Sequence, residues 1–185
     1  ADESDGSFIH LQPDVAVLTN IDDDHLAHFN NIFENLLDSF VLFSENVPFY
    51  GYMVINGDDK NIKKISKRIS RTQITFGESK KCDYRITSIK SDKGKQKFEI
   101  VDKRTNKTYK FKINLPGKHN IFNAAASIGV ALEEGIPITS IKQGIYEFTG
   151  VGRRYEKHKI KLGSKEIVLI DDYGHHPLEI DSNIK

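Results

Sequence analysis

The sequence predicts an α/β fold: a partial parallel sheet with helices, extended by a three-stranded antiparallel subsheet. Three observations predict it. Short apolar runs ending in polar residues alternate with apolar stripes spaced three and four in the first eighty residues. From 84 to 113 the pattern changes to strict apolar–polar alternation between turn-rich links. A small-residue stretch, "IFNAAASIGVALEEG", then follows a glycine loop.

Taken in order, "VAVLTN" (15–20) reads as a buried, parallel strand, because both faces are apolar. Phe29, Phe33, Leu36, Leu37, Phe40 and Val41 form one stripe and predict a helix. "YMVI" (52–55) is the next strand, closed by "NGDD". Ile62, Ile65 and Ile69 mark a lysine-rich surface helix, and "QITFG" a third strand. This rhythm implies right-handed crossovers onto a parallel sheet. Tyr84 and Ile86, then Phe98 and Ile100, then Tyr109, Phe111 and Ile113 lie on three half-exposed antiparallel strands. The small-residue stretch is a helix with Asn120 near its start and Gly135 as its C-terminal cap. Pro137 and Thr139 open another helix to about Phe148. Residues 157–161 and 166–170 flank "LGSKE" as a hairpin, and "IVLIDDYGHHP" ends a buried strand on a polar cluster. The one plausible domain boundary is the glycine loop near 150–155.

The bulk composition narrows the function. The chain has 185 residues, 38% hydrophobic and 29% charged, which suits a globular protein rather than a disordered one. No apolar run is long enough to span a bilayer. A net charge of +1, with acids interleaved among the lysines, argues against a protein built to neutralise nucleic-acid backbones. The acidic start "ADESDGSF" lacks a signal peptide's layout, and the single Cys82 has no internal disulfide partner, so a reducing cytoplasm fits.

Four polar clusters are candidates for chemistry. "DDDH" (Asp22, Asp23, Asp24, His25) follows the first strand, at the end where ligands collect in parallel sheets. Carboxylates and an imidazole there can hold a divalent cation, or the aspartates can cap the next helix. "PGKHN" precedes the small-residue helix. Gly117 permits close approach, Lys118 and His119 add charge, and the helix N-terminus offers N–H groups to an anion. Asn120 and Asn123 share a face and present the donor–acceptor pair an adenine edge requires, although Asn120 can equally serve as a cap. "GVGRR" places Arg153 and Arg154 for phosphate contact, or in a solvated turn. "DDYGHHP" is a ligand site at a strand end or a linker. There is no G-x-x-x-x-G-K-[ST] phosphate loop, and nothing around Cys82 signals a nucleophile.

In this order, "ADESDGSFIHLQPDVAVLTNIDDDHL", "NVPFYGYMVINGDD", "LPGKHNIFNAAAS", "GVGRRY" and "DDYGHHPLEI" resemble the Mur ligase family, the ATP-dependent amide-bond ligases of peptidoglycan synthesis. The resemblance is greatest to the branch that adds L-alanine to UDP-N-acetylmuramate. It implies a cytoplasmic enzyme of cell-wall biogenesis, bearing on cell shape and division, that uses ATP and Mg2+ and forms an acyl phosphate. It implies residues 1–152 as part of the central ATP-binding domain and 153–185 as the beginning of a C-terminal ligase domain. It implies His25 as the magnesium ligand and, with Arg154, a catalytic residue. His119, Asn120, Asn123, Arg154 and Asp172 then face ATP, and Tyr173, His175 and His176 face the muramyl and alanine substrates. Asp22 and Asp23 become variable loop positions, Asp24 a cap or support, and His28 a helix-surface residue.

The family's phosphate loop and magnesium-binding glutamate are expected upstream of Ala1, so Glu3 is not that glutamate. The 185 residues alone are therefore expected to be inactive and to hold no well-bound magnesium at His25. The expected partners are the two substrates, with no nucleic acid, no membrane insertion, and a monomer or weak dimer. The alternatives are the related murein peptide ligase, with a tripeptide acceptor, or a non-catalytic nucleotide-binding module derived from the ligase.

Overall fold

Val15–Leu18 forms β1, the first of six strands in one mixed sheet ordered β1-β2-β3-β4-β5-β6. The computed structural model describes residues 5–23, 26–92, 94–152, 156–163 and 165–173, without the side chain of Lys157. β2 (Tyr52–Asn56) and β3 (Thr72–Gly77) lie parallel to β1. β2 is buried on both faces, and its alternation divides the core. Met53 and Ile55 join the cluster with Leu36, Leu37, Ile62 and Ile65, from α1 (Phe33–Glu45) and α2 (Lys60–Ser66). Val54 joins the opposite cluster with Tyr84, Phe98, Ile121 and Ile128.

The helix predicted after β1 starts later than its stripe. Phe29 belongs to a separate 3-10 turn, Leu26–Phe29. Asn30 and Asn31 then take left-handed backbone, at φ 58° and 57°, which interrupts the helix before Phe33. Ile32 occupies the N-cap without a side-chain cap. Asp22 and Asp23 therefore lie too far from α1 to cap it. α2, by contrast, is capped: Asp59 Oδ1 accepts the N–H of Asn61 at 2.9 Å and of Ile62 at 2.8 Å.

The antiparallel strands are β4 (Tyr84–Asp92), β5 (Lys95–Asp102) and β6 (Lys107–Ile113). They do not form a separate sheet. β4 pairs parallel with β3, but only through Phe76↔Tyr84 and Gly77↔Arg85. Because β4 begins beside the end of β3 and runs onward, the chain needs no helical return between them.

α3 (Lys118–Glu133) covers the second face. Its buried Ala124, Ala125, Ala126 and Gly129 let it sit close to the sheet. A Cβ at Gly129 would stand 3.3 Å from the Tyr84 ring. Gly135, at φ 69°, ends α3 as predicted. Its N–H donates to Leu132 O and that of Ile136 to Ala131 O, the paired bonds of a Schellman cap. α4 (Ile138–Glu147) follows and packs along β6 through Ile141.

β7 (Glu156–Leu162) and β8 (Lys165–Asp171) form a two-stranded antiparallel sheet of their own. The buried strand expected at the end of the chain is thus an exposed one. Ile167, Val168, Leu169 and Ile170 are between 43% and 57% exposed, because β8 pairs only with β7. Among the described residues no helix is long and apolar enough to cross a membrane.

Candidate functional site

The segment leaving β1 is fastened to the end of β2 and to the start of α2 by side-chain amides. Asn56, the last residue of β2, donates from Nδ2 to the carbonyl of Thr19 at 2.8 Å. Asn61, in the first turn of α2, donates to the carbonyl of Ile21 at 2.7 Å. These bonds fix the backbone that leads into "DDDH". Within that stretch Asp22 Oδ1 accepts the N–H of Asp23 at 2.9 Å. His28, expected on a helix surface, is exposed in the 3-10 turn; its ring fills the space a Cβ on Gly6 would need and meets Phe29 edge-on. Asp24 and His25, the predicted metal ligand, lie outside the described residues.

The second cluster is built on the loop before α3. Gly117 has φ 86°, a backbone that favours glycine. A Cβ there would lie 2.4 Å from Cε1 of His119, so that ring takes the vacant volume. The carbonyls of this loop are turned inward and held. Gln96, a buried β5 residue, donates from Nε2 to Leu115 O at 2.9 Å and to Gly117 O at 2.7 Å. Asn120 donates from Nδ2 to Pro116 O at 2.6 Å. A trans peptide sets its C=O and N–H in opposite directions. The N–H groups of Gly117 and Lys118 therefore point away from these amides.

Asn120 is not the N-cap, which is Gly117; it lies inside the first turn and closes the loop behind it. Asn123 is exposed on the same helix, and its carbonyl accepts from Ser127 Oγ at 3.1 Å. Lys118 pairs with Glu78, just beyond β3, and lies 5.7 Å from the centre of the Phe122 ring. That ion pair joins the carboxyl end of the parallel strands to the start of α3. Asp58 reinforces the same corner, accepting the N–H of Ser79 at 3.2 Å.

The third connection comes from the end of the chain. His119 is an exposed residue whose ring lies close over the backbone of Gly117. Desolvation there holds its pKa below the ordinary histidine value, and the nearby charge of Asp172 works in the opposite direction. Asp172, immediately after β8, is thus electrostatically coupled to α3. Tyr173 beside it is 56% exposed. Arg153, Arg154, His175 and His176 lie outside the described residues. The structure thus brings His119, Asn120 and Asn123 together at the start of α3, with the charge of Asp172 acting on His119.

Cys82 is buried, and desolvation pushes its thiol up to about 11, so it is no ready nucleophile. Glu156, His158 and Asp171 on the β7–β8 hairpin hold possible ligand atoms within 4.8 Å of one another. They are surface groups of a kind common without an ion and do not include the predicted ligand.

Sequence reasoning missed Gln96, Asn56, Asn61 and Glu78. Gln96 had a signal: it shares the inward phase of Phe98 and Ile100 on its strand. A polar residue at a core-facing position requires a partner.

The model of the Mur ligase middle domain matches residues 1–131. The chain belongs to the Mur ligase family. This Mur ligase chain is 43% identical over 98% of its length to a UDP-N-acetylmuramate–L-alanine ligase of Vesicomyosocius okutanii subsp. Calyptogena okutanii (strain HA). It superposes, at a TM-score of 0.80 and 27% identity over 98% of its length, on the UDP-N-acetylmuramate–alanine ligase of Thermotoga maritima. It also shares its fold with the MurF ligase of Thermotoga maritima solved in complex with ADP, at a TM-score of 0.73 and 21% identity over 93% of the chain. The chain spans 39%, 39% and 38% of these three proteins respectively.

Proposed function

We propose that residues 1–152 of this Mur ligase chain are part of the central ATP-binding domain, and residues 153–185 the beginning of the C-terminal domain, of a cytoplasmic ligase that joins L-alanine to UDP-N-acetylmuramate. The observation that carries this reading is the 43% identity to an enzyme of that name, sustained over 98% of the chain. The arrangement at α3 supports it. A glycine loop with inward carbonyls leaves N–H groups for an anion. Asn123 presents an amide for a base edge, and Asn120, with one N–H on Pro116 O, keeps its second N–H and its acceptor oxygen. This donor set fits a nucleotide. His119 and Asn120 then adjoin the nucleotide, Asn123 its adenine, Asp172 its ribose, and Arg154 its phosphates. Tyr173, His175 and His176 line the substrate side. His25 would hold magnesium, which supplies charge neutralisation at the phosphates.

In the proposed reaction the muramyl carboxylate attacks the γ-phosphorus of ATP. The bond to the bridging oxygen breaks, ADP leaves, and an acyl phosphate forms. The amine of L-alanine adds to the acyl carbon, loses a proton, and expels inorganic phosphate. Phosphoryl transfer of this kind rests on positioning and charge neutralisation, and Arg154 is the chain's own cation for that purpose.

The test is phosphate release by the full-length protein with UDP-N-acetylmuramate, ATP and either L-alanine or the tripeptide. Turnover with L-alanine supports the reading. Turnover only with the tripeptide makes it a murein peptide ligase, and no turnover a non-catalytic module. Residues 1–185 contain no phosphate loop, so turnover by this chain alone would contradict the division of labour proposed.

A further inference from the structure

The ion pair of Glu78 with Lys118 stands at the start of α3, and it occupies a cation to which the nucleotide reading gives no role. Glu78 follows Gly77, the last residue of β3. It continues the phase of Ile74 and Phe76, which are buried in the cluster that α3 covers. Lys118 and Phe122 lie one turn apart on α3. Phe76 meets Phe122 edge-on with 6.4 Å between ring centres, and Glu78 meets Lys118. Two contacts thus run in step along β3 and α3. The apolar one lies inside, and the charged one at the carboxyl end of the parallel strands, where ligands collect in such sheets.

The pair is open to exchange. The Lys118 side chain is 60% exposed and that of Glu78 44%, so water screens their attraction. The backbone of Glu78 is held without Lys118: its N–H donates to Asp58, and its carbonyl accepts from Arg85 Nε at 3.2 Å. Lys118 is the first residue of α3, and side chains on a helix lean toward its N-terminus. Its flexible stem therefore lets the ammonium serve either the Glu78 carboxylate or an anion at the N–H groups of Gly117 and Lys118.

We propose that Glu78 is a positioning residue for the nucleotide site: it holds Lys118 aside in the free protein, and the phosphates of an arriving nucleotide displace it and take the ammonium. Glu78 thereby lowers the affinity for phosphate-bearing ligands and leaves that for the bare nucleoside unchanged. Lys118 joins Arg154 as a cation for the phosphates, with its charge masked until they arrive. The inference rests on the nucleotide reading above, and its test separates the failure of one from the failure of the other.

The experiment is calorimetric titration of the full-length protein with ATP and with adenosine, in the wild type, E78Q, K118M, the E78Q/K118M double variant and E34Q. Glu34 of α1 pairs with Lys64 at similar exposure on the other face of the sheet, so E34Q controls for net charge. Thermal melts report folding. E78Q should bind ATP about threefold more tightly, the size expected from releasing an exposed ion pair. K118M should bind ATP more weakly, and E34Q should match the wild type. E78Q should change nothing in the K118M background or toward adenosine. A gain in affinity is not what the loss of a purely structural pin produces. Unchanged or weaker ATP binding in E78Q, an equal gain in E34Q, or a gain that survives in K118M would overturn the proposal and leave the nucleotide reading standing. Absence of ATP binding in the wild type would remove both.

Discussion

Nε2 of Gln96 lies 2.7 Å from the carbonyl oxygen of Gly117, and so ties the middle strand of the antiparallel sheet to the loop that starts α3. The same nitrogen reaches Leu115 O, and Ser91 Oγ stands 3.5 Å from Oε1. A 2% exposed amide with both N–H groups used is a structural clamp on that loop.

Replacing Gln96 with Leu keeps the volume and removes the donors. Carbonyl acceptors left unsatisfied cost about 1–3 kcal/mol, so Q96L should lower the unfolding free energy of residues 1–185 by that order, read as a lower urea midpoint. If the full-length protein has the proposed ligase activity, the loop should loosen and KM for ATP rise more than kcat falls. An unchanged midpoint together with unchanged KM would show that the loop holds itself.

Gly117→Ala tests a different part of the same loop. The new Cβ meets His119 and the backbone sits at positive φ. Strain of this kind costs about 1–3 kcal/mol. Making the change in a His119→Ala background should recover the steric part and leave the backbone part. A double-mutant cycle on denaturation midpoints separates them; purely additive effects would mean that the ring simply swings away.

How much of this was legible beforehand follows from where side-chain periodicity carries information. β2 and α3 were plain, because their neighbours cover both faces of one and the inner face of the other. β8 was misread because "IVLI" is equally apolar whether or not another element lies on it, and here only β7 pairs with it. The delayed start of α1 turned on Asn30 and Asn31, whose left-handed backbone a hydrophobic stripe does not register. At the site, the family resemblance, rather than spacing, implied a nucleotide-facing role for Asp172 beside His119, Asn120 and Asn123. The inward phase of Gln96 signals a buried amide, but its partners, like those of Asn56 and Asn61, lie at long sequence separations that no local pattern encodes.

The two amides at the strand ends make a further prediction. Asn61→Ala removes the bond to Ile21 O, worth about 1 kcal/mol, and leaves the Asp59 cap of α2 intact. Amide exchange at residues 21–23 should accelerate while exchange in α2 stays slow. Acceleration spread evenly over both would mean that Asn61 supports the helix rather than the loop.

The coupling of His119 to Asp172 sets a pH dependence with a definite sign. Burial lowers the His119 pKa in the folded chain, so the unfolded chain takes up the proton first as pH falls. Stability is then complete above the unfolded value of about 6.5 and declines as pH drops below it toward the folded pKa. Asp172 raises the His119 pKa, so Asp172→Asn should lower it further and steepen the acid-side loss. Histidine ring NMR titration of wild type and D172N measures this directly. His119→Gln should remove this part of the acid-side decline from urea midpoints taken between pH 5 and 7. An upward shift of the His119 titration in D172N would reverse the assigned interaction and detach the end of β8 from the start of α3.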